Sequence, residues 1–168
     1  MLNQEEVYKV LDKFRKSVIK QAKSNLTRLN KNASKDLHSS LDSELSVHRQ
    51  SFSLQFFMME YGEYLDKGVS GKRRKYNTPY EYTNKRPPSR VFEKWIRQKG
   101  IRGRNKKGQF MKVKTLSFLI ARGVYNNGIK PSMFFTKPFE REFAKLDADL
   151  LEAFGLDIDE FLEQTLNA

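Results

Sequence analysis

Three carboxylates stand three residues apart in the segment that follows a run of alternating apolar residues. Glu60, Glu63 and Asp66 would share one side of a short helix. Oxygen ligands grouped in this way can bind a divalent cation of the kind that nucleases use. The alternative is a solvated acidic face that answers the basic residues beside it, and we favour this interpretation.

Other catalytic patterns are weaker. His38 and His48 lack partners at the spacing of metal ligands. "GVSGKR" resembles the end of a phosphate-binding loop, but that loop has four residues between its glycines and a Ser or Thr after the lysine. Here two residues intervene and Arg73 follows Lys72. The sequence therefore predicts no catalytic residue, no cofactor and no metal site, and hence no enzyme.

Composition limits the class of protein. The 168 residues suit one domain, and 38% hydrophobic content is enough for a core. The absence of cysteine excludes disulfides and thiolate metal sites and fits a reducing cytoplasm. No run approaches the roughly 18 to 20 apolar residues of a membrane span, and the first residues are acidic where a signal peptide is basic. We expect a soluble protein that does not contact membranes.

The net charge of +12 is unevenly distributed along the chain. Residues 66–114 hold seventeen Lys and Arg against three acids, whereas residues 138–168 hold two basic residues against nine acids. Such a distribution suits either a surface for nucleic acid with an acidic tail or subunits that pair a basic arm with an acidic helix.

The basic middle contains two loops, at about residues 68–90 and 101–114. In the first, prolines favour an extended arm, with tyrosines as anchors and cations that meet acidic protein or phosphate. Composition leaves protein and nucleic-acid partners equally open. The candidate residues of this arm are Lys72, Arg73, Arg74, Lys75, Tyr76, Tyr80, Tyr82, Lys85 and Arg86, and those of the second loop are Arg102, Arg104, Lys106 and Lys107.

Periodicity predicts an α+β fold in a single domain over residues 1–168. Apolar residues step by three or four over residues 4–30, which indicates a long amphipathic helix. Alternation then predicts a β-hairpin that turns near Arg49, followed by a short helix over residues 58–68. Further helices are predicted from Ser89 as cap to Gly100, from Thr115 as cap to Gly128, and from Thr136, the last one interrupted at Gly155.

Three ordered segments resemble the neck and tail-completion proteins of tailed bacteriophages, a family of head-tail joining and minor tail proteins. They are "YGEYLDKGVSGKRRKYNTPYEY", "PPSRVFEKWIRQKGI" and "LSFLIARGVYNNGIKPSMFFTKPFE", and together they span roughly residues 55–142. The long basic insertion between the first two exceeds that of shorter members. The matching positions are Tyr61, Gly62, Leu65, Asp66, Lys67, Gly68, Trp95, Gly100, Gly128, Ile129, Pro131, Phe134, Phe135, Lys137, Pro138 and Phe139.

The resemblance implies a structural virion protein without enzymatic activity, assembled in the host cytoplasm. It would form a sixfold or twelvefold ring between the portal and the tail, in contact with portal, adaptor and tail proteins and with genomic DNA nonspecifically. The alternatives are a sequence-independent nucleic-acid-binding protein and, least favoured, a metal-dependent nuclease.

Overall fold

The computed structural model describes residues 5–48 and 51–166, and within them the fold is α+β, as predicted. Six helices accompany one antiparallel pair of strands in this part of the chain. None of the described helices is both long and apolar enough to cross a membrane. The elements are α1 Glu5–Arg28, α2 Asp36–Ser40, β1 Asp42–His48, β2 Ser51–Phe57, α3 Tyr61–Lys67, α4 Arg90–Gln98, α5 Val113–Asn127 and α6 Thr136–Leu166.

The chain forms two compact units. Unit 1 comprises α1 as far as Leu26, the segment Ser40–Met58 with the hairpin, and α6 with the two residues before it. Unit 2 comprises Thr27–Ser39 and Met59–Met133. Both predicted basic loops lie in unit 2 and the acidic helix lies in unit 1, so the unlike charges belong to different units. The single-domain interpretation stays a prediction.

The core of unit 1 is built on α1. Its apolar positions recur every three or four residues, which places them on one face because an α-helix turns once in 3.6 residues. That face is buried, as the periodicity predicted, and the lysines between its members remain on other faces. The buried residues of α1 are Val7, Leu11, Phe14, Val18, Ala22 and Leu26.

The hairpin supplies the second layer of this core. β1 pairs with β2 so that Leu45 faces Leu54 and Ser43 faces Phe56, and residues 49 and 50 of the predicted turn lie outside the described residues. Leu45, Leu54 and Phe56 pack against the core of unit 1. Because side chains alternate between the two faces of a strand, one face of the hairpin is apolar and the other is solvated.

A cluster of phenylalanine rings joins these layers to α6. Phe14 of α1 contacts Phe56 of β2 at 6.2 Å between ring centroids and Phe139 of α6 at 5.7 Å, both edge to face. Phe56 also meets Phe135 at 5.4 Å. Edge-to-face pairs contribute about 0.5–1.5 kcal/mol each beyond the area they bury. The cluster thus fixes the start of α6 against both α1 and the hairpin.

The predicted interruption at Gly155 is wrong, because α6 continues through it to Leu166. Glycine in a helix interior costs about 1 kcal/mol relative to alanine. Ala153 and Asp157 are both buried on either side of the glycine, so tertiary packing holds the helix together across it. The acidic residues of α6 therefore lie on one continuous helix.

Asp157 explains why the end of α6 matters to the whole unit. Its carboxylate is fully buried and accepts hydrogen bonds from the backbone N–H groups of Glu6 at 3.0 Å and Val7 at 3.2 Å. These N–H groups belong to the first turn of α1 and have no partner within their own helix. A residue about 150 positions away in sequence thus caps α1.

Of the two predicted helix caps, Ser89 lies at the N-cap position of α4 as predicted, whereas Thr115 does not cap α5. Ser89 has helical backbone angles and no side-chain capping bond, and α4 instead starts in a turn in which Val91 N–H donates to Pro88 at 3.3 Å. α5 begins at Val113, after the extended residue Lys112. Thr115 is already inside that helix, where its N–H donates to the carbonyl of Lys112. A side-chain cap is only one way to satisfy a helix N-terminus, and the sequence does not show which is used.

Removal of the Asp157 carboxylate should destabilise the protein. We expect Asp157→Ala to lower the free energy of unfolding by about 1–2 kcal/mol, since two N–H groups of α1 lose their acceptor. Asp159→Ala, two residues on in α6 at an exposed position, should change it by less than about 0.5 kcal/mol. Urea unfolding followed by circular dichroism measures both, and equal effects would contradict the capping role.

Glu142 should make stability depend on pH. Gln21 donates to its carboxylate at 2.9 Å and Ser17 at 3.2 Å, and these bonds, that of Gln21 above all, hold the pKa of Glu142 below its ordinary value of 4.5. A depressed pKa stabilises the folded state above pH 4.5, and this contribution disappears as the pH falls through the folded-state pKa.

The variant Glu142→Gln should therefore be less stable than the parent at pH 7, and the difference should shrink as the pH is lowered below 4.5. An exposed glutamate two residues earlier provides a matched control, Glu140→Gln. Unfolding free energies measured from pH 7 to pH 3 test this, and a difference that is constant over this range would contradict it.

Candidate functional site

The first basic loop is anchored where two distant segments of unit 2 meet. Val69 and Ile129 exchange backbone hydrogen bonds of 2.9 and 2.8 Å. Gly68, just before this pair, has a φ of +77°, and a Cβ there would lie 2.6 Å from the carbonyl oxygen of Ile129. Ser132 donates through its hydroxyl to the carbonyl of Leu65 at 2.6 Å. The end of α3 is thereby tied to the segment that follows α5.

Ser70 holds the loop in a closed shape. Its N–H donates to the carbonyl of Tyr80 at 2.8 Å, and its carbonyl accepts from Tyr82 N–H at 2.9 Å. Its buried hydroxyl accepts from Tyr76 N–H at 3.0 Å and donates to the carbonyl of Tyr76 at 3.2 Å. Residues 70–82 therefore double back on themselves. The predicted extended arm is, over this stretch, a folded loop of unit 2.

The tip of this loop covers the C-terminal end of α5. Lys72 N–H donates to the carbonyl of Tyr125 at 3.0 Å, and the N–H groups of Arg73 and Arg74 donate to that of Asn126 at 2.8 and 3.2 Å. The last carbonyls of a helix lack partners within it and carry partial negative charge. The loop satisfies them and places its cations at the favourable end of the helix dipole. We call residues 70–82, which carry these cations, the basic loop.

Two glycines permit this contact. A Cβ on Gly71 would lie 2.3 Å from the carbonyl oxygen of Asn126, and one on Gly128 would lie 2.1 Å from that of Val69. Gly128 also has a φ of +72°, a conformation that other residues adopt with strain. Gly128 ends α5 as predicted. Its second role, close backbone approach, has no signature in the local sequence.

A cleft of about 480 Å³ opens beside this junction. Tyr64 and Tyr80 meet edge to face at 4.6 Å between ring centroids. Tyr82 lies 6.4 Å from Tyr125, and burial raises the pKa of the Tyr82 hydroxyl. Two of the predicted anchors, Tyr80 and Tyr82, thus contact their own chain. The residues that line the cleft are Tyr61, Tyr64, Leu65, Val69, Tyr80, Glu81, Tyr82 and Ile129.

Acidic residues near the cleft are already engaged. Glu63 pairs with Lys67 at 2.7 Å, and the hydrogen bond from Lys67, then that from Tyr80, holds the pKa of Glu63 below its usual range. Glu81 pairs with Lys75. Among the described residues no ion pair joins Lys72, Arg73 or Lys85, whose side chains are exposed. The basic loop keeps most of its charge available.

The second basic loop contains an ordered turn at residues 103–111, which we call the basic turn. Asn105 N–H donates to the carbonyl of Gln109 and Met111 N–H to that of Gly103, both at 2.9 Å. The side-chain oxygen of Asn105 accepts from the N–H groups of Lys107 at 2.9 Å and Gln109 at 3.0 Å. The turn therefore presents exposed Lys106 and Lys107 from a fixed backbone.

Guanidinium groups cover aromatic rings throughout unit 2. Arg86 lies 4.5 Å from the ring centroid of Phe118. Arg104 of the basic turn lies 4.2 Å from the ring centroid of Phe110, which is 58% exposed, and Arg102, just before the turn, lies 5.8 Å from it. Such contacts hold a guanidinium in place while leaving N–H groups free for anions. Arg74 makes a similar contact with Tyr76.

The three carboxylates at helical spacing do not form a metal site. Glu60 and Glu63 are exposed, whereas Asp66 is buried. Its backbone carbonyl accepts from the N–H groups of Ser132 and Met133. Within residues 5–48 and 51–166, no group of three potential ligands could hold a metal ion. His38 and His48 are likewise not part of any such group among these residues.

Several family-motif residues prove to be parts of one junction. Gly68, Gly128, Ile129 and Pro131 come from two segments far apart in sequence, and a Cβ on Gly68 would lie within 2.7 Å of both Ile129 and Pro131. In unit 1, Phe134 is buried and Phe135 and Phe139 belong to the aromatic cluster. Trp95 is 38% exposed on α4. These motif positions thus have structural roles, whereas the contacts of Ser70, Gly71 and Asn126 at the same junction were not predicted from the sequence.

Comparison of the chain with family models, curated proteins and solved structures found no match. The resemblance to phage neck proteins stays a prediction.

Substitution of the two glycines at the junction should be severe. We expect Gly71→Ala and Gly128→Ala to lower the free energy of unfolding by at least about 2–3 kcal/mol, since each Cβ would meet backbone atoms. The control is Gly123→Ala in α5, where a Cβ meets nothing within 4 Å. This substitution should raise the free energy of unfolding by up to about 1 kcal/mol. Urea unfolding measures all three, and tolerance of alanine at residue 71 or 128 would contradict the close approach.

Proposed function

We propose that this protein is a structural subunit of the head-tail connection of a tailed phage, and that it assembles head to tail into a ring around the DNA exit channel. Three features support the proposal. They are the ordered segments that resemble neck proteins, the presence of two exposed surfaces of unlike charge, and an apolar stripe left open on the acidic surface. The last of these carries the proposal.

The apolar stripe lies on α6. Phe143 is 50% exposed, Leu151 76% and Phe154 48%. At about 100° of rotation per residue, these side chains and that of Leu162 fall within about 100° of one another around the helix. The buried face, with Leu146 and Ala153, occupies the adjacent sector. Large apolar side chains that are exposed together mark an interaction surface.

The charge around the stripe selects its partner. Exposed carboxylates of Glu140, Asp147 and Glu152 accompany it on α6, and the chain offers the complementary surface in its own basic loop. Two unlike patches on one subunit form a heterologous contact, which generates a ring when the rotation closes. Opposite potentials also orient the partners before contact and disfavour the pairing of like surfaces.

A second candidate is a sequence-independent nucleic-acid-binding protein that acts as a free monomer. It is favoured by one observation, the concentration of exposed cations in unit 2. The two candidates separate on assembly. A ring subunit forms closed oligomers that depend on α6, whereas a free binding protein remains monomeric while it is saturated with DNA.

Reversal of charge tests the proposed contact. Deletion of the loop would remove Ser70 and Gly71 from unit 2, so we prefer substitutions at exposed side chains. We expect Lys72→Glu/Arg73→Glu/Arg74→Glu in one variant, and Glu140→Lys/Asp147→Lys/Glu152→Lys in another, each to weaken assembly by about tenfold or more. The chain that carries both sets should recover assembly, because the complementarity is restored with its signs exchanged. Native mass spectrometry and light scattering over a concentration series measure this.

The matched control reverses three exposed lysines elsewhere, Lys13→Glu/Lys20→Glu/Lys31→Glu. It should assemble like the parent. Failure of the doubly reversed chain to recover, or a control as impaired as the two test variants, would refute the basic-to-acidic contact. A parent protein that stays monomeric at every concentration would favour the second candidate.

A further inference from the structure

We infer that the basic turn, residues 103–111, together with Arg102 just before it, is a binding site for a nucleic-acid strand, with phosphates held by these cations and an unpaired base stacked on Phe110. This deepens the proposed function by separating the two basic surfaces. The basic loop meets protein, and the basic turn meets DNA. It rests on the proposed function only for the identity of that nucleic acid as the phage genome.

The local charge favours phosphate over protein carboxylates as the ligand. Between Glu93 and Glu140 the sequence contains twelve Lys and Arg and no acid. Within that span Arg102, Lys106 and Lys107 are exposed, and among the described residues none of them forms an ion pair. Several exposed cations close together in sequence can neutralise neighbouring phosphates, and binding releases the counterions of the nucleic acid.

Hydrogen bonds within the turn hold its backbone. Asn105 and Arg104 fix it from within, since the Asn105 side chain accepts two backbone N–H groups and Arg104 donates to the carbonyl of Gly108 at 2.8 Å. A flexible basic tail loses backbone entropy when it binds. The backbone that carries these cations is already fixed, so this cost is small here. This distinguishes the turn from an unstructured lysine-rich segment of equal charge.

Phe110 supplies a feature that simple charge neutralisation does not need. It is more than half exposed, at the base of the turn, and two guanidinium groups lie near its ring. Aromatic rings bordered by cations accept unpaired bases by stacking while the cations neutralise the neighbouring phosphates. A paired base inside a duplex is not available for such stacking. The geometry thus predicts contact with the backbone of either form and an additional contribution only for a single strand.

The test measures affinity for a 20-nucleotide single strand and a 20-base-pair duplex of arbitrary sequence across a series of salt concentrations. We expect Arg102→Gln/Lys106→Gln/Lys107→Gln to weaken binding of both about tenfold or more, and to reduce the slope of log K against log salt by about 2 to 3. Arg104 is retained because it supports the turn. The control Lys13→Gln/Lys20→Gln/Lys31→Gln removes the same charge and should change affinity by less than about threefold.

Two further variants keep every charge. Phe110→Leu should weaken binding of the single strand about 5- to 100-fold and leave duplex binding unchanged. Asn105→Ala should loosen the turn and weaken binding of both about 3- to 10-fold. Equal losses in the charge variant and its control, an unaltered Asn105→Ala variant, or a Phe110→Leu variant that does not discriminate the two ligands would each overturn the assignment. Rings that form normally but bind no DNA would refute this inference and leave the proposed ring intact.

Discussion

The arrangement of unit 2 depends on one close approach of backbone, between the Gly71 and Gly128 regions. The N–H groups of the basic loop reach the carbonyls at the end of α5 only because neither glycine has a side chain. That contact satisfies a helix terminus, closes the loop through Ser70 and brings α3 beside the segment after α5. The tyrosine cleft exists because of it. A side chain at either position would separate the two segments by the width of a methyl group and undo all four consequences.

The same constraint determines what the basic loop can do. A flexible arm would have to lose conformational entropy on meeting a partner, whereas this loop is already folded, with its tyrosines packed on their own unit. Its cations then form a fixed surface that depends on α5 for support. The backbone of the basic turn is also fixed, in its case by hydrogen bonds to the Asn105 side chain. Two cationic surfaces of one unit are thus held independently, as the proposed separation of a protein contact from a DNA contact requires.

The sequence predicts the elements that follow from a local periodic pattern of residues. It does not predict contacts between residues that are far apart in the chain. The apolar period of α1, the alternation in the hairpin and the stop at Gly128 follow from local rules. The continuity of α6 through Gly155 does not, because it depends on packing around Ala153 and Asp157 in unit 1. Asp157 itself reads as one more acid in an acidic helix, since nothing local indicates that it caps α1. Backbone contacts such as those of Ser70 leave no pattern of side chains to find.

The core of unit 1 also explains why the apolar stripe of α6 stays open. The phenylalanine cluster and the Asp157 cap fix the rotation of the helix at both ends, with Leu146 and Ala153 turned inward. A helix held at two points cannot turn about its axis to bury the adjacent sector, so Leu151 and Phe154 remain exposed. Folding therefore does not gain the hydrophobic free energy that burial of these two side chains would contribute. Contact with a partner surface would bury them and gain this free energy. The interactions that fix α6 within unit 1 are therefore the same ones that leave its apolar stripe exposed for the assembly we propose.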